Sequence, residues 1–208
     1  MFTGIIQATA RVIRSVPSQG MQLVTIQRPE FFSDLTQGVS IACDGICLTV
    51  LKFDGASFTV EVMRETLAKT TASAWNANTL LNLERALRIG DRLDGHWVLG
   101  HIDRTSKLLE KRISGSTSWL RFELDSRDRH LVVPQGSIAV NGVSLTIAEL
   151  KPSSVTVALI SHTLENTNLA RLSPGSAVNL EYDILGKYVQ QISQTGSKAL
   201  EDLYAQDS

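Results

Sequence analysis

The sequence predicts an all-β fold: two tandem, homologous, six-stranded Greek-key β-barrels followed by a C-terminal amphipathic helix. A hairpin motif that is written twice is the first observation behind this prediction. Residues 37–50 read QGVSIACDGICLTV, and residues 135–147 read QGSIAVNGVSLTI. In each copy, Asp-Gly or Asn-Gly separates two runs of β-branched and apolar residues, which is the strongest short-range signal for a hairpin.

The second observation is that the repeat extends well beyond the hairpins. FTVEVMRETLAKT at 58–70 aligns with VTVALISHTLENT at 155–167, and LNLERALRIGDRL at 81–93 aligns with VNLEYDILGKYV at 178–189. FTGIIQ at 2–7 matches LGHIDR at 99–104. Self-similarity over nearly half the chain indicates a duplicated domain. The predicted units are an N-terminal barrel over 1–87, a C-terminal barrel over 88–186 and a C-terminal helix over 187–208.

In the first half, alternating polar and apolar residues predict strands on both sides of the hairpin turn. The strands predicted outside the hairpin cover residues 4–16, 21–27, 57–63 and 79–86. A proline at a first helical position predicts a short helix over 29–32. Residues 66–74 fit one or two helical turns. Several short strands in a unit of this size are typical of a small closed barrel.

The second half repeats this order, and its predicted strands cover 104–113, 119–124, 155–160 and 177–182, with a short helix over 127–133. The tail, 186–208, changes to helical spacing, which is the third observation. Its apolar positions are Val189, Ile192, Leu200, Leu203 and Tyr204. Gly196 weakens this helix prediction, because glycine destabilises a helix interior by about 1 kcal/mol relative to Ala. Because an isolated helix is marginal in water, this stripe must pack either on its own barrel or on other copies of the chain.

Composition excludes several classes of function. With 20 basic and 21 acidic residues, the chain offers no basic face for nucleic acid. It has no run of about 18 apolar residues that could span a membrane, and its start lacks the pattern of a signal peptide. The two cysteines, Cys43 and Cys47, fit a reducing cytoplasm.

The second strand of each hairpin carries two polar residues on one face. Residues i and i+2 of a strand share a face, so Cys47 lies with Thr49 and Ser144 lies with Thr146. The intervening leucines point the other way. This pattern indicates one wall of a pocket in each repeat, although a core thiol and a hydroxyl bonded to backbone would give the same pattern.

Glu65-Thr66 and His162-Thr163 form the next matched pair, each between a strand and a helical turn. The threonines are predicted to cap these turns. The free backbone N–H groups of a helix start also suit the carbonyl oxygens of a heterocycle, so capping and binding are compatible.

Two histidines occur in GHWVLGH, at His96 and His101. With Cys43 and Cys47 they could formally make a tetrahedral metal set. The pairs lie in different repeats, and the hairpin puts the two cysteines on opposite sides of a turn. We therefore predict no metal site and interpret Cys43 as a small buried hydrophobe.

Taken together, the start MFTGIIQ, the hairpins DGICLTV and NGVSLTI, RETLAKT with SHTLENT, and GHWVLGHID resemble the riboflavin synthase family over essentially the whole chain. The resemblance implies a dismutation of two molecules of 6,7-dimethyl-8-ribityllumazine to riboflavin and 5-amino-6-(D-ribitylamino)uracil, without cofactor or metal. It also implies a homotrimer in which two lumazines stack between the N-terminal barrel of one subunit and the C-terminal barrel of a neighbour. Lumazine synthase, whose shell encloses some members, is a candidate protein partner.

The resemblance also assigns substrate-binding residues by motif. The N-terminal pocket would comprise Gly4, Ile5, Ile6, Ser40, Cys47, Leu48, Thr49, Glu61, Val62, Met63, Arg64, Glu65 and Thr66. The C-terminal pocket would comprise Gly100, His101, Ile102, Gln135, Ser144, Leu145, Thr146, Ala158, Leu159, Ile160, Ser161, His162 and Thr163. His101 is the first catalytic candidate, because an imidazole titrates near neutral pH. Cys47 and Ser144 are candidates to assist addition or to polarise the ring.

Two residues depart from the family pattern: Gln135 stands where the family often has Lys, and Asn141 where it often has Asp. Each removes a charge near the second pocket. The main alternative function is that of the lumazine proteins of luminous bacteria, non-enzymatic antennae with the same fold. The chain keeps His101, Ser144 and Thr146, which favours the enzyme. A flavin-binding barrel of the reductase class is disfavoured by the second copy.

Overall fold

A computed structural model of the chain contains two closed, six-stranded antiparallel β-barrels and a long C-terminal helix, as the sequence predicts. It describes the backbone of residues 1–206 and the side chains of residues 1–195. No helix in this described part is long and apolar enough to cross a membrane.

The two barrels have the same strand order. The first is built from β1 (Ala8–Ser18), β2 (Met21–Gln27), β3 (Ser40–Cys43), β4 (Ile46–Phe53), β5 (Ser57–Val62) and β6 (Leu80–Arg85). The second is built from β7 (Arg104–Ser114), β8 (Thr117–Glu123), β9 (Ser137–Val140), β10 (Val143–Lys151), β11 (Ser154–Leu159) and β12 (Ala177–Tyr182). Around the first barrel the order is β1-β2-β5-β4-β3-β6, and the second follows the same pattern. The chain crosses from β2 to the β3–β4–β5 meander, which is a Greek-key connection.

The central hairpins have the turn that their sequences predict. Asp44 and Gly45 have φ of 45° and 78°, and Asn141 and Gly142 have φ of 46° and 78°. Two successive positive φ angles are typical of the type I′ turn, whose twist matches that of the strands. In the following strand, Leu48 is buried while Cys47 is half-buried and Thr49 is exposed, so the predicted alternation is confirmed.

Short helices connect the strands, and two predictions about them are wrong. Residues 29–32 form a turn in which Phe32 N donates to Pro29 O, and Arg28 Nε donates to the Phe32 carbonyl, so no helix continues. The helices α1 (Arg64–Lys69) and α2 (Ser161–Asn166) have no side-chain cap. The capping threonines stand four residues later, where Thr70 and Thr167 each accept a backbone N–H from a following 3₁₀ turn.

The C-terminal helix α3 spans Ile184–Gln206, and the apolar side chains in its described first part are not buried on its own barrel. Leu185, Tyr188, Val189 and Ile192, at helical spacing, are 58–71% exposed. Of the predicted stripe, Leu200, Leu203 and Tyr204 lie outside the described residues.

The barrels meet through contacts that occur in equivalent pairs. Phe2 and Val98 form an antiparallel bridge with hydrogen bonds in both directions. The hairpin turns stand back to back, because a Cβ on Gly45 would lie 2.7 Å from the Gly142 nitrogen. Asn82 Nδ2 donates to Asn141 O at 3.0 Å, and Asn179 Nδ2 donates to Asp44 O at 2.9 Å. The two halves are therefore related by an approximate twofold axis.

Candidate functional site

Each half of the chain sends a short segment across to the other barrel. The first strand begins at Ala8 and not at residue 4 as predicted, because residues 2–6 leave their own barrel. Ser144 N in the C-terminal barrel donates to Gly4 O at 2.8 Å, and Cys47 N in the N-terminal barrel donates to Gly100 O at 2.9 Å. Ile6 packs against the core of the C-terminal barrel, and Ile102 against that of the N-terminal barrel.

The two glycines at these crossings leave no space for a side chain. Gly4 has φ of 77°, and a Cβ there would lie 2.6 Å from Ser144 Cβ. Gly100 has φ of 81°, and a Cβ there would lie 2.4 Å from Cys47 Cβ. Both the positive φ and the close approach require glycine. The crossing segments therefore contact Ser144 and Cys47, two of the predicted catalytic residues.

Cys47 lies in a cavity of about 230 Å³ on the N-terminal barrel. Its walls come from β4, α1 and the crossing segment of the second half. They are Ile46, Cys47, Glu65, Thr66, Lys69, Thr70, Gly100, His101 and Ile102. Glu65 and Lys69 form an exposed ion pair of 2.7 Å at its edge, and the pKa of Glu65 is lowered by that hydrogen bond.

An equivalent cavity of about 100 Å³ contains Ser144 on the C-terminal barrel. It is lined by Gly4, Ile5, Ile6, Val143, Ser144, His162, Thr163, Asn166 and Thr167. The two linings correspond residue for residue across the repeat, with Glu65 and Lys69 replaced by His162 and Asn166. The histidine at 101 is replaced by Ile5. The two cavities have no lining residue in common.

The crossing changes how the predicted residues are grouped. The family motifs predict residues 4–6 with Cys47 and residues 100–102 with Ser144, each segment in the pocket of its own half. In the structure, 4–6 line the Ser144 cavity and 100–102 line the Cys47 cavity. The physical reason is that the half-buried apolar side chains of Ile6 and Ile102 pack against the cores of the opposite barrels.

The other predicted residues lie around these cavities without lining them. Four belong to the barrel cores, so that only their backbone could face a ligand: Leu48, Val62, Leu145 and Leu159. The half-buried pair is Ser40 and Glu61. The exposed residues are Thr49, Met63, Arg64, Gln135, Thr146, Ala158, Ile160 and Ser161. Gln135 has φ of 63° where the first repeat has Gly38 with φ of 88°, so a side chain is kept at a position that favours glycine.

His96 contacts Ser144, although the sequence motifs predict no role for it in either pocket. Its Nδ1 lies 2.7 Å from Ser144 Oγ, and its Nε2 is buried without a hydrogen-bond partner among the described side chains. Burial lowers the pKa of His96, with Asp183 acting in the opposite direction, so the imidazole is neutral near neutral pH. Ser144 Oγ therefore has an imidazole nitrogen within hydrogen-bond distance.

Glu84 and Glu181 were also missed. They occupy matched positions in β6 and β12, and both are buried. Their carboxylates bind the backbone of the two crossing segments. The signal was present in the sequence as the repeated NLE of LNLER and VNLEY, which puts a charged residue inside an otherwise apolar strand.

Comparison with known proteins identifies the duplication. The model of the lumazine binding domain matches residues 3–86 and again residues 99–183. The riboflavin synthase of Actinobacillus pleuropneumoniae is 38% identical over 92% of this chain and 89% of its own length. Those of Bacillus subtilis and Saccharomyces cerevisiae are 38% and 32% identical, over 91% and 92% of this chain and 88% and 85% of their own lengths.

Solved structures share the fold. LumP complexed with 6,7-dimethyl-8-(1'-D-ribityl) lumazine superposes with a TM-score of 0.79 at 21% identity, covering 87% of this chain and 98% of LumP. LumP complexed with riboflavin gives a TM-score of 0.82 at 21% identity, covering 88% and 99%. At this identity the likeness shows the fold alone.

Proposed function

The chain belongs to the riboflavin synthase family of duplicated lumazine-binding domains, and we propose that it catalyses the family's dismutation. Two molecules of 6,7-dimethyl-8-ribityllumazine give riboflavin and 5-amino-6-(D-ribitylamino)uracil, one donating a four-carbon unit to the other. The proposal makes the protein a transferase that needs no cofactor and acts in the cytoplasm. The observation that supports it is the pair of cavities whose linings occupy equivalent positions in the two repeats, since a reaction of two identical molecules needs two similar sites.

The separation of the cavities supports a site that is shared between subunits. The two cavities have no lining residue in common, so two rings bound on one chain would lie in separate cavities and not in one shared space. Stacking then needs the N-terminal cavity of one copy and the C-terminal cavity of another. The exposed stripe of α3, from Leu185 to Ile192, offers the apolar surface for such an association. We propose a homotrimer, with lumazine synthase as a candidate further partner.

The reaction requires a proton to leave a weakly acidic methyl group and two rings to be held in fixed orientation. His101 lies in the Cys47 cavity and is proposed to transfer that proton. At the other cavity, His96 contacts the lining residue Ser144 and can hold or release a proton at its Oγ. Cys47 and Ser144 occupy equivalent positions, from which each would assist addition to the ring or polarise it.

Lumazine binding without turnover, as an antenna, is the second candidate. It is favoured by the shared fold of LumP, whose structures hold a lumazine and a flavin. Incubation with 6,7-dimethyl-8-ribityllumazine alone separates the two. Equimolar riboflavin and aminouracil, formed without any additive, support the enzyme. A bound fluorophore that never turns over would establish the antenna and refute the proposal.

A further inference from the structure

Each crossing segment is held by one buried carboxylate from the barrel that it leaves. Glu84 accepts Thr3 N at 2.7 Å through Oε1 and Gly4 N at 2.9 Å through Oε2. Glu181 accepts Leu99 N at 2.7 Å through Oε1 and Gly100 N at 3.0 Å through Oε2. Thus both oxygens of each carboxylate bind consecutive backbone N–H groups at the point where the chain crosses.

We propose that Glu84 and Glu181 are positioning residues, each of which fixes the wall of the cavity on the opposite barrel. Glu181, in the C-terminal barrel, sets the His101 segment against Cys47. Glu84, in the N-terminal barrel, sets the Ile5 segment against Ser144. This inference rests on the proposed function, because it takes the two cavities as the lumazine sites.

The geometry calls for a carboxylate at both positions. An ionised carboxyl group accepts at both oxygens, whereas glutamine offers one acceptor and an NH₂ group that would face a backbone N–H. Glu84 and Glu181 are 4% and 2% exposed, so water does not replace a lost acceptor. Leaving a buried donor unpaired costs the full desolvation of that group.

Burial and the backbone N–H donors shift the pKa of the two glutamates in opposite directions. Burial raises the pKa of Glu181 to about 7, while the N–H groups of Leu99 and Gly100 and the charge of Lys187 lower it. Burial also raises the pKa of Glu84, and Thr3 and Gly4 lower it. The segment itself therefore stabilises the ionised form that holds it.

A positioning role and a general stabilising role differ in which cavity changes when the glutamate is replaced. A residue that only supports its own barrel would affect the cavity on that barrel. Glu181 instead contacts the segment whose other side covers Cys47, since Gly100 lies on Cys47 Cβ. Replacing Glu181 should therefore loosen the wall of the N-terminal cavity, and replacing Glu84 should loosen the wall of the C-terminal cavity.

Cys47 provides a direct reporter of the first cavity. It is half-buried, whereas Cys43 is completely buried, and both thiols are free. We expect Glu181→Gln to raise the rate at which a thiol-reactive chromophore labels Cys47 by about tenfold, as the segment lifts more often. Peptide mass spectrometry assigns the label to Cys47 or Cys43. The matched variant Glu84→Gln should leave the rate at Cys47 unchanged.

The reciprocal experiment uses Ser144→Cys, which places a thiol at the equivalent position. There Glu84→Gln should raise labelling and Glu181→Gln should not. Equal effects of both variants on both thiols, or no effect on either, would overturn the inference. If Glu181→Gln does not fold, Glu181→Asp keeps two acceptors on a shorter side chain. It should give a labelling rate at Cys47 above that of the wild type, and an unchanged rate would equally refute the positioning role.

Titration with 6,7-dimethyl-8-ribityllumazine separates this inference from the proposed function. Wild-type protein that binds no lumazine would refute the proposed function, while the labelling pattern would still decide the role of the carboxylates. Wild-type protein that binds lumazine, with Glu181→Gln weakening binding about tenfold, supports both. Lumazine protection of Cys47 that survives Glu181→Gln at full strength would contradict the inference alone.

Discussion

Asp44 is a buried carboxyl group in the seam between the barrels, and its replacement by asparagine should make the protein less sensitive to high pH. Its Oδ1 accepts Asn82 N and Asn168 Nδ2, both at 2.8 Å. No cation bonds it among the described side chains. The second repeat already carries Asn141 at the equivalent position, where its Oδ1 accepts Asn179 N at 2.8 Å. Asp44→Asn therefore copies an arrangement that the other half uses.

The magnitude follows from the pKa of the carboxyl group. Burial raises the pKa of Asp44 from 3.8 to about 7, although the bonds from Asn82 and Asn168 lower it. Between these values the folded state binds more protons than the unfolded chain, so stability falls as pH rises. At 1.36 kcal/mol per pH unit, the cost of ionising the folded state reaches about 4 kcal/mol above pH 7. About 2–3 kcal/mol of this develops between pH 5 and pH 8.

Urea unfolding of wild type and Asp44→Asn at several pH values, at one protein concentration, tests this. The free energy of unfolding of the variant, relative to wild type, should rise by about 2–3 kcal/mol from pH 5 to pH 8. Other titrating groups are common to both proteins and cancel in the difference. Any constant cost of the new amide also cancels, because only the change with pH is used.

The matched control is Asn141→Asp, which adds a second buried carboxyl group beside the first. Its stability should fall more steeply with pH than that of wild type. If Asp44→Asn and wild type have the same pH dependence, Asp44 does not titrate in this range and the reasoning is refuted. If Asn141→Asp has no effect above pH 7, the seam tolerates charge, and the assumed burial cost is wrong.

Three further predictions concern the activity. His101→Ala should lower turnover by about 100-fold and lumazine affinity much less, as single-turnover kinetics and a binding titration would show; unchanged turnover would remove His101 from the mechanism. Cys47→Ser should keep the fold and lose activity, and Ser144→Ala should affect rate more than stability; activity near the wild-type level would make either one a packing residue. A chain that ends at Gln190 should stay folded, dissociate on dilution and lose most activity with it, as measured by sedimentation and activity over one dilution series. A fully active, monomeric truncation would contradict both the helix-driven trimer and the shared site.

The barrels could be predicted because their signals are local. The Asp44-Gly45 and Asn141-Gly142 turns need positive φ at both residues, and few sequences other than Asn-Gly or Asp-Gly tolerate this. The repeat then assigned the same strands twice. The prediction of a helix at 29–32 is wrong because a proline can begin either a turn or a helix. The chain forms a turn there, with Phe32 buried.

The site could be predicted only as a set of segments. Which segment lies in which cavity depends on whether Ile6 and Ile102 pack against their own barrel or against the other one. Both arrangements are compatible with the same pattern of polar and apolar residues in the sequence. The role of Glu181 depends on two backbone N–H groups that are about eighty positions away along the chain. His96 was missed for a related reason: its contact is with Ser144, 48 positions away along the chain, and no motif links the two residues.

The two cavities are equivalent in position and unequal in chemistry, and this inequality matters for the proposed reaction. A dismutation assigns different roles to identical molecules, so identical sites would leave the choice of donor and acceptor to chance. The cavity of Cys47 holds His101 and the Glu65–Lys69 ion pair, which is exposed and therefore easily exchanged for a contact with a charged ligand. The cavity of Ser144 holds Ile5, Asn166 and a hydroxyl group bonded to the neutral His96. In the proposed reaction, a lumazine that has lost a methyl proton is negatively charged, and the side chain of Lys69 would favour this form in the first cavity. Duplication thus supplies two sites for one ligand, and divergence at a few positions gives the two ligands different environments.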